Sequence, residues 1–138
     1  MPLQQVRGST YSYLAPAGWH VATVKGTTSA SKGPQLLEVA TFPLVKQYND
    51  ALFGKVAREL GVRMQQVAAT LHGKVTHAHT VTVAGIQSHS YAVTAGSSLL
   101  EYTFVLRGRR EYQLLCRYPA GTSNSACVQL LRSFTPAQ

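Results

Sequence analysis

Residues 99–119 read LLEYTFVLRGRREYQLLCRYP. Two runs rich in Leu, Tyr, Phe and Val flank a short arginine-rich turn, and Gly108 can take the positive φ that a tight hairpin needs. In the first run Leu100, Phe104 and Leu106 fall on one face; in the second, Tyr112, Leu114, Cys116 and Tyr118 do. The segment predicts an antiparallel hairpin with its apolar faces turned to a core. The preceding residues repeat the pattern. KVTHAHTVTVAG (74–85) and QSHSYAVTAG (87–96) flank a turn at Ala84-Gly85-Ile86. Four consecutive strands are expected from Lys74 to Pro119.

A helix is expected before them. Asn49 or Asp50 can accept the free backbone N–H groups of a first turn. Phe53, Val56, Ala57, Leu60, Met64, Val67 and Leu71 then recur at spacings of three and four, which makes one apolar stripe. Lys55, Arg58, Arg63 and Gln66 lie off it. Gly54 and Gly61 weaken a helix interior, so a kink is expected near Gly61, and Gly73 suits the left-handed stop position. Toward the N-terminus, STYSYLAPAGWHVATVK (9–25) reads as two strands around a turn, TTSASKGP (27–34) as a loop, and QLLEVATFPL (35–44) as a strand that Pro43 ends. The chain closes with SNSACVQLLRSF (123–134), a helix that Ser123 or Ser125 can cap, with Cys127, Leu130, Leu131 and Phe134 on one face. Strands, helix, four strands and a helix joined by short turns predict an α+β fold, an antiparallel sheet of six or seven strands. One domain is expected over residues 9–135, with residues 1–8 as an N-terminal tail.

The chain has 138 residues, 13 Lys and Arg, five Asp and Glu, and a net charge of +8. That imbalance favours an anionic partner, whether phospholipid head groups, polyanionic envelope polymers or nucleic acid. No apolar run is long enough to span a bilayer. The opening MPLQQVRGST lacks the apolar core of a secretory signal, so an exported form is expected to have lost that segment.

With five acids in the whole chain, paired carboxylates and a Ser-His-Asp set are hard to assemble. No G-x-S-x-G elbow or phosphate-binding glycine loop is present. Three of the five histidines lie close together in the sequence. On a strand, His77 and His79 point to one face, their Cα atoms about 7 Å apart, and His89 follows on the partner strand. Together they could hold a metal as in a hydrolase. However, His89 should fall opposite residue 81 or so, and no Asp or Glu lies between Glu59 and Glu101 to orient an imidazole. A polar strand face is the expectation, with the metal set as the alternative.

Cys116 faces inward from a strand and Cys127 from the following helix, with a Pro-Ala-Gly turn folding one over the other. A disulfide is expected, and two buried thiols are the other possibility. A disulfide implies an oxidising, extracytoplasmic compartment. Arg107, Arg109 and Arg110 crowd the hairpin tip, where they make either an anion-binding site or a solvated turn. Lys25 and Arg58 are further cations that a partner could meet. Tyr102, Phe104 and Tyr112 nearby have the look of a nucleic-acid stacking surface, although the alternation of Phe104 with Leu100 and Leu106 suits a core better.

YSYLAPAGW at the start, the long helix, VTVAGIQSHSYAV as a glycine-turn hairpin and CVQLLRSF as the closing helix together resemble the PsbP-like fold family. That family includes the PsbP subunit of photosystem II, the DcrB and LpqN bacterial lipoproteins and a eukaryotic Ran-binding import factor. FVLRGRREYQLLCRYPAG (104–121) is similar to exported actinobacterial proteins of this kind. The resemblance implies an α/β/α sandwich, a sheet flanked by a long central helix and a C-terminal helix. It further implies a non-enzymatic binding or assembly role at the cell envelope, secreted or lipoprotein-derived, with no cofactor and no shared active site. A cytoplasmic regulator or nucleic-acid binder is the alternative.

Overall fold

A computed structural model describes residues 2–137 of the chain. The elements run β1 (Leu3–Arg7), β2 (Tyr11–Pro16), β3 (His20–Val24), β4 (Thr27–Lys32), β5 (Gln35–Pro43), a 3-10 turn (Asp50–Leu52), α1 (Phe53–Thr70), β6 (Lys74–Val83), β7 (Ile86–Ala95), β8 (Ser98–Arg107), β9 (Arg110–Pro119), α2 (Ser125–Ser133) and β10 (Thr135–Pro136). Strands β3 to β9 form a seven-stranded antiparallel sheet in the order β3-β4-β5-β9-β8-β7-β6. A second, three-stranded sheet has the order β1-β2-β10.

The alternation of side chains sends the large sheet's residues to two cores. On one face Tyr91 and Val93 of β7 and Leu100, Tyr102, Phe104 and Leu106 of β8 pack with Leu60, Met64 and Ala68 of α1. On the other, Leu37, Val39, Val105, Tyr112, Leu114 and Cys116 pack with Val6, Tyr11, Tyr13 and Ala15 of the small sheet and with Cys127, Leu130 and Phe134. The molecule is therefore a sandwich of α1, the large sheet, and a third layer in which α2 lies with the small sheet. Buried hydroxyls join the last two layers. The Tyr11 hydroxyl donates to the Val39 carbonyl at 2.9 Å and lies 2.7 Å from Thr28 Oγ1. Burial pushes the neighbouring Tyr13 hydroxyl up to about 12, so it stays neutral and hydrogen-bonding over the whole physiological range.

Several expectations need correction. Residues 3–7, expected as part of a tail, form β1, pair with β2 from Leu3↔Pro16 to Arg7↔Ser12, and bury Val6. The two strands read around APAG do not pair, because β2 belongs to the small sheet and β3 is an edge of the large one. TTSASK is a strand rather than a loop. Lys25 (φ 50) and Gly26 (φ 80) make a two-residue turn of the primed kind, which returns the chain directly into β4. Thr28 and Ala30 are then fully buried on one face, so small polar residues serve where the sheet approaches the layer above.

Helix α1 runs unbroken through Gly54 and Gly61. Asn49 Oδ1 accepts from the Ala51 N–H at 3.0 Å at its entry. Leu71 is 39% exposed and lies beyond the helix. The left-handed stop residue is His72 (φ 56), not Gly73. The His72 N–H donates to the Ala69 carbonyl and the Gly73 N–H to the Ala68 carbonyl, the paired bonds of a Schellman motif. Gly73 serves a different need, since a Cβ there would meet the Thr94 carbonyl oxygen at 2.3 Å. At α2 the Ser123 hydroxyl accepts from the Ser125 N–H at 3.1 Å.

Candidate functional site

The strand registers bring four connections to one end of the large sheet: the Lys25-Gly26 turn, the 44–49 segment, the Ala84-Gly85 turn and the Gly108-Arg109 turn. Arg107 pairs directly with Arg110 across the hairpin. The tip is not a freely projecting loop, because the segment after Pro43 wraps it. The Leu44 N–H donates to the Arg109 carbonyl at 2.8 Å, and the Tyr48 N–H to the Gly108 carbonyl at 2.7 Å. The Arg109 guanidinium in turn donates to the Val45 carbonyl. Arg109 is therefore partly structural, while Arg110 and Lys46 are exposed beside it. Hollows of about 310, 360 and 420 Å³ surround this end, bordered by the arginine tip, by Val45 and Lys46, and by Phe42 and Arg63. Lys25 occupies the turn at the far side of the same end, and Arg58 lies on the exposed side of α1.

One ion pair near the tip was not foreseen. Glu111, buried on the α1 face, accepts from Arg63 at 2.9 Å. The guanidinium carbon of Arg63 lies 5.6 Å from the centre of the Phe104 ring, where it also interacts with the ring face. Helical periodicity marks Arg63 only as off-stripe, and nothing in the spacing of 48 residues links it to Glu111.

The histidines separate. His79 pairs with Ser90 and Thr80 with His89, so His89 emerges from the opposite face to His79. His77 and His79 remain together, ring centres 4.5 Å apart, on the exposed edge strand β6. His89 is buried against α1, stacked on Phe53 at 3.9 Å. No group of three His, Cys, Asp or Glu converges as a metal site among the described residues. The His77/His79/His89 hydrolase is thus corrected by register: a strand alternates faces at every residue, and His77 and His79 lie an odd number of positions from Thr80, the residue opposite His89, so they cannot share its side.

His89 has a different consequence. Its Nε2 is buried without a hydrogen-bond partner, and burial holds the imidazole below its ordinary 6.5. The unfolded chain takes up a proton near that value while the folded chain resists it. Stability is therefore complete above pH 6.5 and falls as the pH drops through it toward the lower folded value. Urea midpoints from neutral to mildly acid pH should show this fall, and His89→Leu should flatten it. An unchanged pH slope in the variant would assign the effect elsewhere.

Cys116 of β9 and Cys127 of α2 are joined by a disulfide, with Cα atoms 5.6 Å apart. The aromatics proposed for base stacking are interior: Tyr102 is 8% exposed, and Phe104 and Tyr112 are each 1% exposed. They offer no stacking surface to a nucleic acid. Of the five acids, Glu111 is held by Arg63, and Glu101 accepts from the Tyr118 hydroxyl at 2.7 Å.

No protein-family model and no curated protein sequence matches the chain. Solved structures do. Cyanobacterial PsbP (CyanoP) from Synechocystis superposes with a TM-score of 0.73 at 16% identity, covering 97% of this chain and 92% of that one. The chain has a PsbP-like fold. A protein from Bacteroides thetaiotaomicron superposes with a TM-score of 0.64 at 11% identity over 99% of this chain, which spans 48% of that protein. At these identities the likeness is one of fold. The PsbP-like sandwich expected from the sequence is present, with its large sheet between α1 and α2, and with the small sheet as an additional part of the outer layer.

Proposed function

We propose that the chain is a non-enzymatic binding or assembly module of the bacterial cell envelope, exported and working outside the cytoplasm, whose basic surface meets an anionic partner. The Cys116–Cys127 disulfide carries the reading. Such bonds persist where the surroundings are oxidising. Support also comes from the PsbP-like fold and from the net charge of +8. Arg107, Arg109 and Arg110 are the residues assigned to the partner, with Lys25 and Arg58 as outlying cations. No helix among the described residues is long and apolar enough to cross a membrane, so any membrane association would use the surface of the fold or an anchor outside it.

The test is intact mass after alkylation, with protein taken directly from its own host under denaturing, non-reducing conditions. Both cysteines should resist the alkylating agent until a reductant is added, and both should then be modified. Two thiols that react without reduction would remove the oxidising compartment, and the envelope assignment with it.

A further inference from the structure

The segment that clamps the arginine tip also carries the most exposed large apolar side chain among the described residues. Val45 is 88% exposed and Phe42, at the end of β5, is 44% exposed. Leu44 lies between them and lines the hollows on either side, one reaching Leu52 of the 3-10 turn and Val56 of α1 and the other reaching Arg63. Cations ring this apolar projection. Lys46 and Lys55 border the first hollow, with Glu59 as its one acid. Arg109 is bonded to the Val45 carbonyl itself, and Arg110 stands opposite Pro43. None of Lys46, Lys55 and Arg110 pairs with an acid among the described residues.

We propose that this end of the sheet docks on an anionic lipid bilayer, with Val45 and Phe42 entering the head-group layer while Lys46, Arg109 and Arg110 meet the phosphates. An exposed aliphatic apex such as Val45 finds little to bury against on a soluble polyanion, and the outside of a nucleic-acid duplex presents mainly charged phosphate and sugar. A bilayer offers both within a few ångströms of depth. Attachment of a protein surface to a bilayer strengthens with the apolar area it buries and with its attraction to anionic lipids, and both contributions are present within one short segment and the turn it wraps. The arrangement is also rigid: hydrogen bonds from Leu44, Tyr48 and Arg109 hold the apolar apex in a defined position against the cations. The proposal rests on the binding-module reading above and names the partner of that same basic tip.

The experiment is flotation of the full chain with vesicles of neutral phosphatidylcholine, or of phosphatidylcholine with about a third phosphatidylglycerol, at physiological salt. Binding to the anionic vesicles should exceed that to neutral ones by about tenfold or more. Phe42→Gln with Val45→Gln leaves the charge untouched and should cut anionic binding several-fold. Lys46→Glu with Arg110→Glu should lower it by about 20-fold or more, since each cation near the surface contributes about fivefold. Lys32→Glu with Lys74→Glu makes the same charge change at the opposite end of the sheet and should cost far less. All the substituted residues are exposed, and thermal melts of each variant establish that it is folded. No preference for anionic vesicles, or full binding by the Phe42/Val45 variant, overturns the proposal. So does an equal loss from either charge-reversed end. Flotation reads the tip and alkylation reads the cysteines, so a failure here leaves the compartment result standing, and the reverse also holds.

Discussion

Phe134→Ala is expected to destabilise the fold by about 3–5 kcal/mol, the range for removing a buried phenyl ring. The ring is 2% exposed. It stands edge-on to Tyr112 of the large sheet at 5.3 Å and tilted against Tyr11 of the small sheet at 5.9 Å, so it fills the space where α2, the small sheet and the large sheet meet. Truncation opens a cavity there that neither sheet can close, because Tyr11 is fixed by its bonds to Thr28 and Val39. It also loosens the hold on β10, whose residues Thr135 and Pro136 pair with Ser12 and Tyr11. For a domain of this size the melting temperature should fall by about 10–15 °C. Phe134→Leu retains most of the volume and should cost markedly less. Urea unfolding of the three proteins measures the effect. A loss below about 1 kcal/mol for the alanine variant would mean that the third layer is not packed as described.

Removing the Cys116–Cys127 link is expected to have the next largest effect. The bond closes a loop with a sequence separation of 11, and restricting an unfolded loop of that length stabilises the native chain by about 2–3 kcal/mol. Adding a reductant to the wild-type protein tests this term with no change of sequence. The double variant Cys116→Ala, Cys127→Ala should lose somewhat more, since both residues are buried, at 2% and 3% exposed, and their sulfurs leave a gap between β9 and α2. The link ties the first turn of α2 directly to β9, so the amide protons of that helix should exchange faster on reduction than those of α1. Identical urea midpoints with and without reductant would show that the link does not constrain the fold.

Local patterns in this chain are legible from sequence, and distant contacts are not. The hairpins β6–β7 and β8–β9 are legible because turn chemistry and alternation act over a few residues, and the registers Val83↔Ile86 and Arg107↔Arg110 follow from them. The stripe of α1 is legible for the same reason, as is the inward aim of Cys116 and Cys127. The β4 strand is not. Its Ser, Thr and Ala have loop-like composition, and only contact with Tyr11 and Tyr13 makes small buried side chains the right ones there. His72 takes the left-handed stop expected of Gly73, and a neighbouring strand, not the helix, demands the missing Cβ at Gly73.

The candidate site divides in the same way. Arg107, Arg109 and Arg110 stand out in the sequence as a cluster, and the poverty of acids already argues against acid–base chemistry. The wrapping of the tip by residues 44–49, the exposure of Val45 beside it and the Arg63–Glu111 pair are settled by tertiary contacts across tens of residues. By itself the sequence determines the α+β class, the strand pairs of the second half, the long helix and the inward cysteines, since each depends on periodicity and on turns that neighbouring residues decide. Only the tertiary structure decides that β1, β2 and β10 form a second sheet, that His89 is buried on the opposite face from His77 and His79, and that an apolar apex is held against the basic tip. The physical reason is that a chain specifies its local conformation by nearest neighbours, whereas which surface covers which depends on the packing of layers whose residues lie far apart along it.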